Sequence, residues 1–251
     1  MKNLTSAICL TIAVLVGCGW VSDSAGSQIG LTPAQEEEAY QEEWIQSLPV
    51  QGEDIATTLR ELTLLAEQGD ATSQFKLGFM YRNGFRVLQD YETAIKWYTL
   101  AVEQKHSEAQ FNLGLMYKTG EGVPQDYETA IKWYTLAAEQ KHSEAQFNLG
   151  LMYAIGEGVP QDFETAIKWY TLAAEQKHSE SQFNLGLMYA NWDGVPQDHV
   201  YAHMWFNLAA SSGDKIAPKV RDSLAEQMIP TQIAEAQKLA RECVRKEYKA
   251  C

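Results

Sequence analysis

Between residues 19 and 242 this chain of 251 residues contains no cysteine; its four cysteines stand at positions 9, 18, 243 and 251. No disulfide can therefore staple the body of the protein, which must be held by packing. Basic charge is also scarce. Twenty lysines and arginines face 33 aspartates and glutamates, a formal net charge of −13. That excludes a phosphate-backbone ligand, which needs clustered Lys and Arg, so no nucleic-acid partner is expected. The one long apolar run, Ala7 to Val16, is too short to cross a bilayer as a mature helix. What is present is ample apolar content: 45% of residues, with 11% aromatic. A chain of that composition builds a core rather than remaining disordered.

The strongest pattern is internal repetition. Near-copies of one 36-residue unit occupy residues 73–108, 109–144, 145–180 and 181–216. The second and third copies differ at three positions only, with Ala154 for Lys118, Ile155 for Thr119 and Phe163 for Tyr127. A fixed period of this length predicts an all-α, right-handed α-solenoid of stacked helix–turn–helix units, each burying its apolar face against the next.

In the second copy the spacing predicts helix A from about Ser107 to Tyr117, with Ser107 and Gln110 in capping-box positions. Gly120-Glu121-Gly122-Val123-Pro124 then forms a loop. Asp126 caps helix B, which runs to about Gln140 with the pair Glu128–Lys132 on its outer face. Leu113, Tyr117, Ala130, Trp133, Tyr134 and Ala137 are expected in the core, with Trp133 filling the space between repeats. Gly114 recurs as Gly78, Gly150 and Gly186; glycine inside a helix costs up to about 1 kcal/mol, so a close helix contact is expected there. Residues 34–72 form an N-terminal cap. It comprises a helix over 34–48, with Tyr40, Trp44 and Leu48 on one face, and a partial repeat from Ile55 to Gln68. Residues 217–251 form a C-terminal cap.

The recurring Ala109, Leu113, Gly114, Tyr117, Gly120, Gly122, Val123, Asp126, Ala130, Trp133, Tyr134, Ala137 and Ala138 resemble the Sel-one-like repeat family, relatives of the tetratricopeptide repeats. The resemblance spans residues 55–216. It implies an interaction scaffold rather than an enzyme, with helix A lining a concave groove in which asparagines hold peptide backbone. Lys76, Asn112, Asn148 and Asn184 are the candidate groove residues by that likeness. The chain departs from the pattern in three ways. Lys105, Lys141 and Lys177 replace the glycine that ends helix B, and a lysine fits a left-handed cap poorly, so a different turn is expected there. Arg86 and Leu88 replace loop residues in the first copy, and Trp192 replaces a loop glycine in the fourth.

The amino terminus carries an address. Lys2, the apolar run and Leu15-Val16-Gly17-Cys18 are similar to a bacterial lipoprotein signal, with residues 1–17 removed and a lipid joined to Cys18. The alternative is ordinary secretion with cleavage near Ala25. Residues 18–33 then form a flexible tether, and Gly19 points to the periplasmic face of the outer membrane. Of the cysteines, Cys243 and Cys251 remain. On one continuous helix their Cα atoms would lie about 12 Å apart, too far for a disulfide. Either the last helix ends early and the tail folds back, or the pair is not intramolecular.

Chemistry is thin. His106, His142 and His178 fall one repeat apart, too distant to share a metal. His199 and His203 have metal-compatible spacing but fall in a packing segment. No catalytic group, metal or cofactor is assigned. The expectation is a lipid-anchored scaffold for a protein or peptide; the alternative is an inhibitor or immunity protein masking a toxic periplasmic enzyme.

Overall fold

The computed structural model describes residues 55–191, 193–249 and 251. Cys18, the helix expected over 34–48 and Trp192 lie outside them. The described residues form eleven helices and no strand. Helix α1 (Ile55–Glu67) is the second half of a unit. Four pairs follow: α2 (Ala71–Asn83) with α3 (Tyr91–Glu103), α4 (Ser107–Thr119) with α5 (Tyr127–Glu139), α6 (Ser143–Ile155) with α7 (Phe163–Ala174), and α8 (Ser179–Asn191) with α9 (His199–Ser211). Helices α10 (Ala217–Ala225) and α11 (Pro230–Arg245) close the array. The two helices of each pair pack together, and each B helix also packs on the A helix of the next pair.

Local chemistry sets these boundaries. The carboxylates of Asp90, Asp126 and Asp162 each accept from the backbone N–H of the threonine three residues on, at 3.1 Å, and from its hydroxyl at 2.6 Å. Those bonds hold the three carboxyls below their usual range. The A helices end on left-handed glycines, Gly84, Gly120 and Gly156.

The helix A start differs from the capping-box expectation. The cap is His106, whose Nδ1 accepts from the Ala109 N–H at 3.4 Å, and Ser107 is already the first helical residue. Gln110 is used elsewhere: its Oε1 accepts from Gln140 at 2.6 Å. Gln74, Gln146 and Gln182, in the same register, donate at 3.0–3.1 Å to the carbonyls of Ala66, Ala138 and Ala174. A buried glutamine thus satisfies an end carbonyl of the preceding B helix.

The turn at the three lysines is not a different one. Lys105, Lys141 and Lys177 adopt left-handed φ of 63°, 68° and 68°, in the same register as Gly69 and Gly213. The backbone pattern explains this: Lys141 N–H donates to Ala138 O at 2.9 Å and His142 N–H to Ala137 O at 3.2 Å, closing the helix end so tightly that the side chain yields. Replacing Lys141 by glycine should therefore stabilise the array, by about 0.5–1 kcal/mol, since the left-handed penalty for an L-residue outweighs the added chain entropy. Chemical denaturation of the variant measures it.

The core contact between paired helices is a ring laid on a glycine. A Cβ on Gly114 would sit 2.7 Å from the ring of Tyr134, and Gly78, Gly150 and Gly186 face Tyr98, Tyr170 and Phe206 in the same way. The close approach expected at Gly114 is present. Trp133, expected to fill the space between repeats, is not fully enclosed there. Tyr98, Tyr134, Tyr170 and Phe206 are fully buried, whereas Trp133 is half-buried. One residue further along a helix is a rotation of about 100°, which turns the tryptophan from the glycine slot to the seam between repeats. There Trp97 and Trp169 flank the cores of the preceding units.

At the carboxyl end α11 stops at Arg245, and Glu247 and Tyr248 take left-handed φ of 54° and 65°. The tail folds back, bringing Cys251 to a Cα distance of 5.2 Å from Cys243, and the two form a disulfide. This is the first of the two alternatives. Tyr248 is buried by the same turn, with the Lys177 ammonium 5.4 Å from its ring centroid.

Candidate protein-binding face

Lys76, Asn112, Asn148 and Asn184 are each the sixth residue of their A helix, so they share one rotational register along the array. The structure then treats them differently. Asn112 is 5% exposed. Its Nδ2 donates to Glu108 O at 2.8 Å, and its Oδ1 accepts from Arg82 Nη1 at 3.0 Å and from the Tyr98 hydroxyl at 3.4 Å. It is a joint between repeats one and two, not the non-core position its register suggests. Asn148 is half-buried, with Nδ2 donating to Glu144 O at 2.9 Å. Asn184, also half-buried, bonds the hydroxyl of Tyr170, whose pKa burial pushes up. Lys76 is half-buried and helps lower the Asp70 carboxyl, after its hydrogen bonds to Ser73.

The reason for the difference lies six residues further along helix A. Arg82 Nε pairs with Glu121 Oε2 at 2.8 Å, bridging repeats one and two. Lys118 repeats that bridge to Glu157 at 3.5 Å. In the third and fourth copies Ala154 and Ala190 occupy the position, and no cation reaches forward from there. The polar face is thus clasped shut at its first joint, looser at the second, and built from small side chains by the third. Neither Arg82 nor Glu121 stands out in the sequence, because they are 39 residues apart. The replacement of Lys118 by Ala154, one of only three differences between otherwise matching copies, was the signal available.

The repeat-register histidines are structural. Nδ1 of His106, His142 and His178 accepts a backbone N–H at 3.4, 3.3 and 3.2 Å, and each ring stacks at 4.8–4.9 Å on Phe75, Phe111 or Phe147. Burial holds all three imidazoles below their ordinary range, against the pull of Glu108, Glu144 and Glu180. A lowered folded-state pKa means the unfolded chain binds more protons once pH drops under its own value. Stability should be fully present above about pH 6.5 and decline as pH falls below it. Denaturation midpoints from pH 8 to 5 should show that slope, flattened in a variant with asparagine at all three caps. His203 is buried in α9, and burial lowers its pKa as well. Among the described residues no group of three or more His, Cys, Asp or Glu side chains comes together as metal ligands would.

Comparison with known proteins matches the geometry. The family profile described as Sel1 repeat matches residues 71–106, 107–142, 143–178 and 179–214. Its frame starts at the A helices, two residues before the period as read from the sequence. A Sel1 repeat protein from Oxalobacter formigenes is 32% identical over 76% of this chain and 80% of its own, with a TM-score of 0.65. A protective antigen of uropathogenic Escherichia coli displaying an SLR fold is 42% identical over 63% of this chain, with a TM-score of 0.62. This chain covers 34% of that antigen's length. An immunity protein of Pseudomonas aeruginosa is 18% identical over 87% of this chain and 85% of its own, with a TM-score of 0.49, a likeness too distant to bear on function. Among curated proteins nothing matches.

Proposed function

This chain belongs to the Sel1 repeat family, whose stacked helices are a scaffold for protein–protein interaction, and from that premise we propose that it is an envelope adaptor: tethered by a lipid on Cys18, carrying no catalytic site, and holding an extended protein segment along its A helices. The observation that carries the reading is the shared register of Asn148 and Asn184, both half-buried, one repeat apart. Adjacent packed helices lie about 8–10 Å apart. That step is close to three residues of extended chain at about 3.3 Å each, so successive asparagine amides could take backbone groups of every third residue. Asn112 and Lys76 contribute less, Asn112 because it is 5% exposed and Arg82 holds its carbonyl.

Two measurements test this. Cys18→Ser should abolish labelling with palmitate and move the protein out of the membrane fraction; unchanged partitioning would overturn the anchor. Asn148→Ala combined with Asn184→Ala should weaken partner binding by about 0.5–1.5 kcal/mol per lost hydrogen bond while helical content stays normal. The same titration separates an adaptor from an inhibitor: an inhibitor would bind one folded enzyme tightly and silence it.

A further inference from the structure

The tenth residue of every B helix is leucine, and the array leaves four of the five uncovered. Leu64, Leu100, Leu136 and Leu172 are 54%, 41%, 43% and 44% exposed. Leu208, in the same register of α9, is 1% exposed. The difference is α11, which packs on α9 and joins Leu208 and Trp205 to Ala240 and Cys243 in one core. The protein therefore shows what fits this stripe: an α-helix with small or apolar side chains facing the leucine. It also shows the flanking chemistry. Arg241 and Arg245 line the same cleft as Leu208 and Ser211. Ser211 stands where the uncovered repeats carry Glu67, Glu103, Glu139 and Glu175, three residues after each exposed leucine. The acid is missing only in the unit that the chain covers for itself.

We infer that the leucine stripe of the B helices is a docking surface for a basic amphipathic helix of a partner protein. We take a heptad period for the occupant, since seven residues complete about two helical turns and keep one apolar face toward the stripe. Basic residues beside each apolar one meet the glutamates, in a protein of net charge −13. The surface continues the α9–α11 contact across the uncovered repeats. It goes beyond the A-helix face and does not depend on it.

The probe is a synthetic helical peptide of four heptads, with leucine at every seventh position and arginine beside each leucine, titrated into the full-length chain. Its counterpart carries glutamate in place of arginine. The basic peptide should bind, the acidic one about tenfold or more weaker, and Leu100→Gln, Leu136→Gln and Leu172→Gln together should cost the basic peptide at least about tenfold. Because those leucines are exposed, the triple variant should keep its melting temperature. Glu103→Lys with Glu139→Lys should shift preference toward the acidic peptide, which a merely sticky surface would not do. Asn148→Ala with Asn184→Ala should leave the peptide affinity unchanged, separating this surface from the A-helix face. Equal binding of both peptides, no binding of the basic one, or wild-type affinity in the triple variant overturns the inference. So does a triple variant that loses only self-association or only binding to anionic vesicles, since the stripe would then meet a second copy or a membrane.

Discussion

Tyr134→Ala should cost the array about 3–5 kcal/mol, the range for emptying a buried aromatic site, and Trp133→Ala markedly less, about 1–2 kcal/mol. Tyr134 is fully buried against Gly114 and Ala130, and helices that lose this ring cannot close the gap without breaking the seams on either side. Trp133 is only half-buried. Stability in such arrays couples through nearest neighbours, so amides of α4 and α6 should lose hydrogen-exchange protection along with those of α5 in the tyrosine variant. Equal losses at the two positions would mean the tryptophan shares the slot and the assignment is wrong.

The second large effect is at the glycine half of the equivalent contact in the next repeat. Gly150→Ala places a methyl 2.6 Å from the Tyr170 ring. In an exposed helix that change gains up to about 1 kcal/mol of propensity. Here overpacking should outweigh the gain and leave a net loss of about 1–3 kcal/mol. The two residues should also be strongly coupled: adding Tyr170→Ala should erase most of the cost of the new methyl, with an interaction energy of about 0.5–3 kcal/mol. Denaturant unfolding of the four proteins in that cycle measures it. Additive losses would show that the glycine is tolerated for a reason other than the ring.

Much of this architecture was legible in the residues. The period, the helix pairs, the aspartate caps and the need for glycine at position 114 all follow from spacing and backbone sterics, which act over a few residues. What was not legible depends on rotation about a helix or on contacts many residues apart. Whether Tyr134 or Trp133 takes the slot is decided by about 100° of helix rotation, which a list of apolar positions does not resolve. The capping role of His106 was hidden by Ser107, a commoner cap residue standing one position later. The left-handed lysines contradicted local preference because the backbone bonds from Lys141 and His142 to α5 outweigh it. The candidate face was half visible: the asparagine register is plain in the repeats, but Asn112 is taken up by Arg82 and Tyr98, residues 30 and 14 positions away. The exposed leucines are the converse case. Leu136 falls outside the expected core positions, but only the packed array shows that it is left 43% exposed.

The most direct test of the adaptor account is photo-crosslinking in cells that make the full-length chain. A photo-activatable amino acid at position 148 or 184 is predicted to yield one discrete adduct with a second envelope protein, lost when Cys18→Ser removes the tether. The same residue at position 88, on the exposed loop of the first repeat, is predicted to yield none. Adducts at position 88 without any at 148 or 184 would contradict the account and place the partner on the irregular loops instead of the A helices.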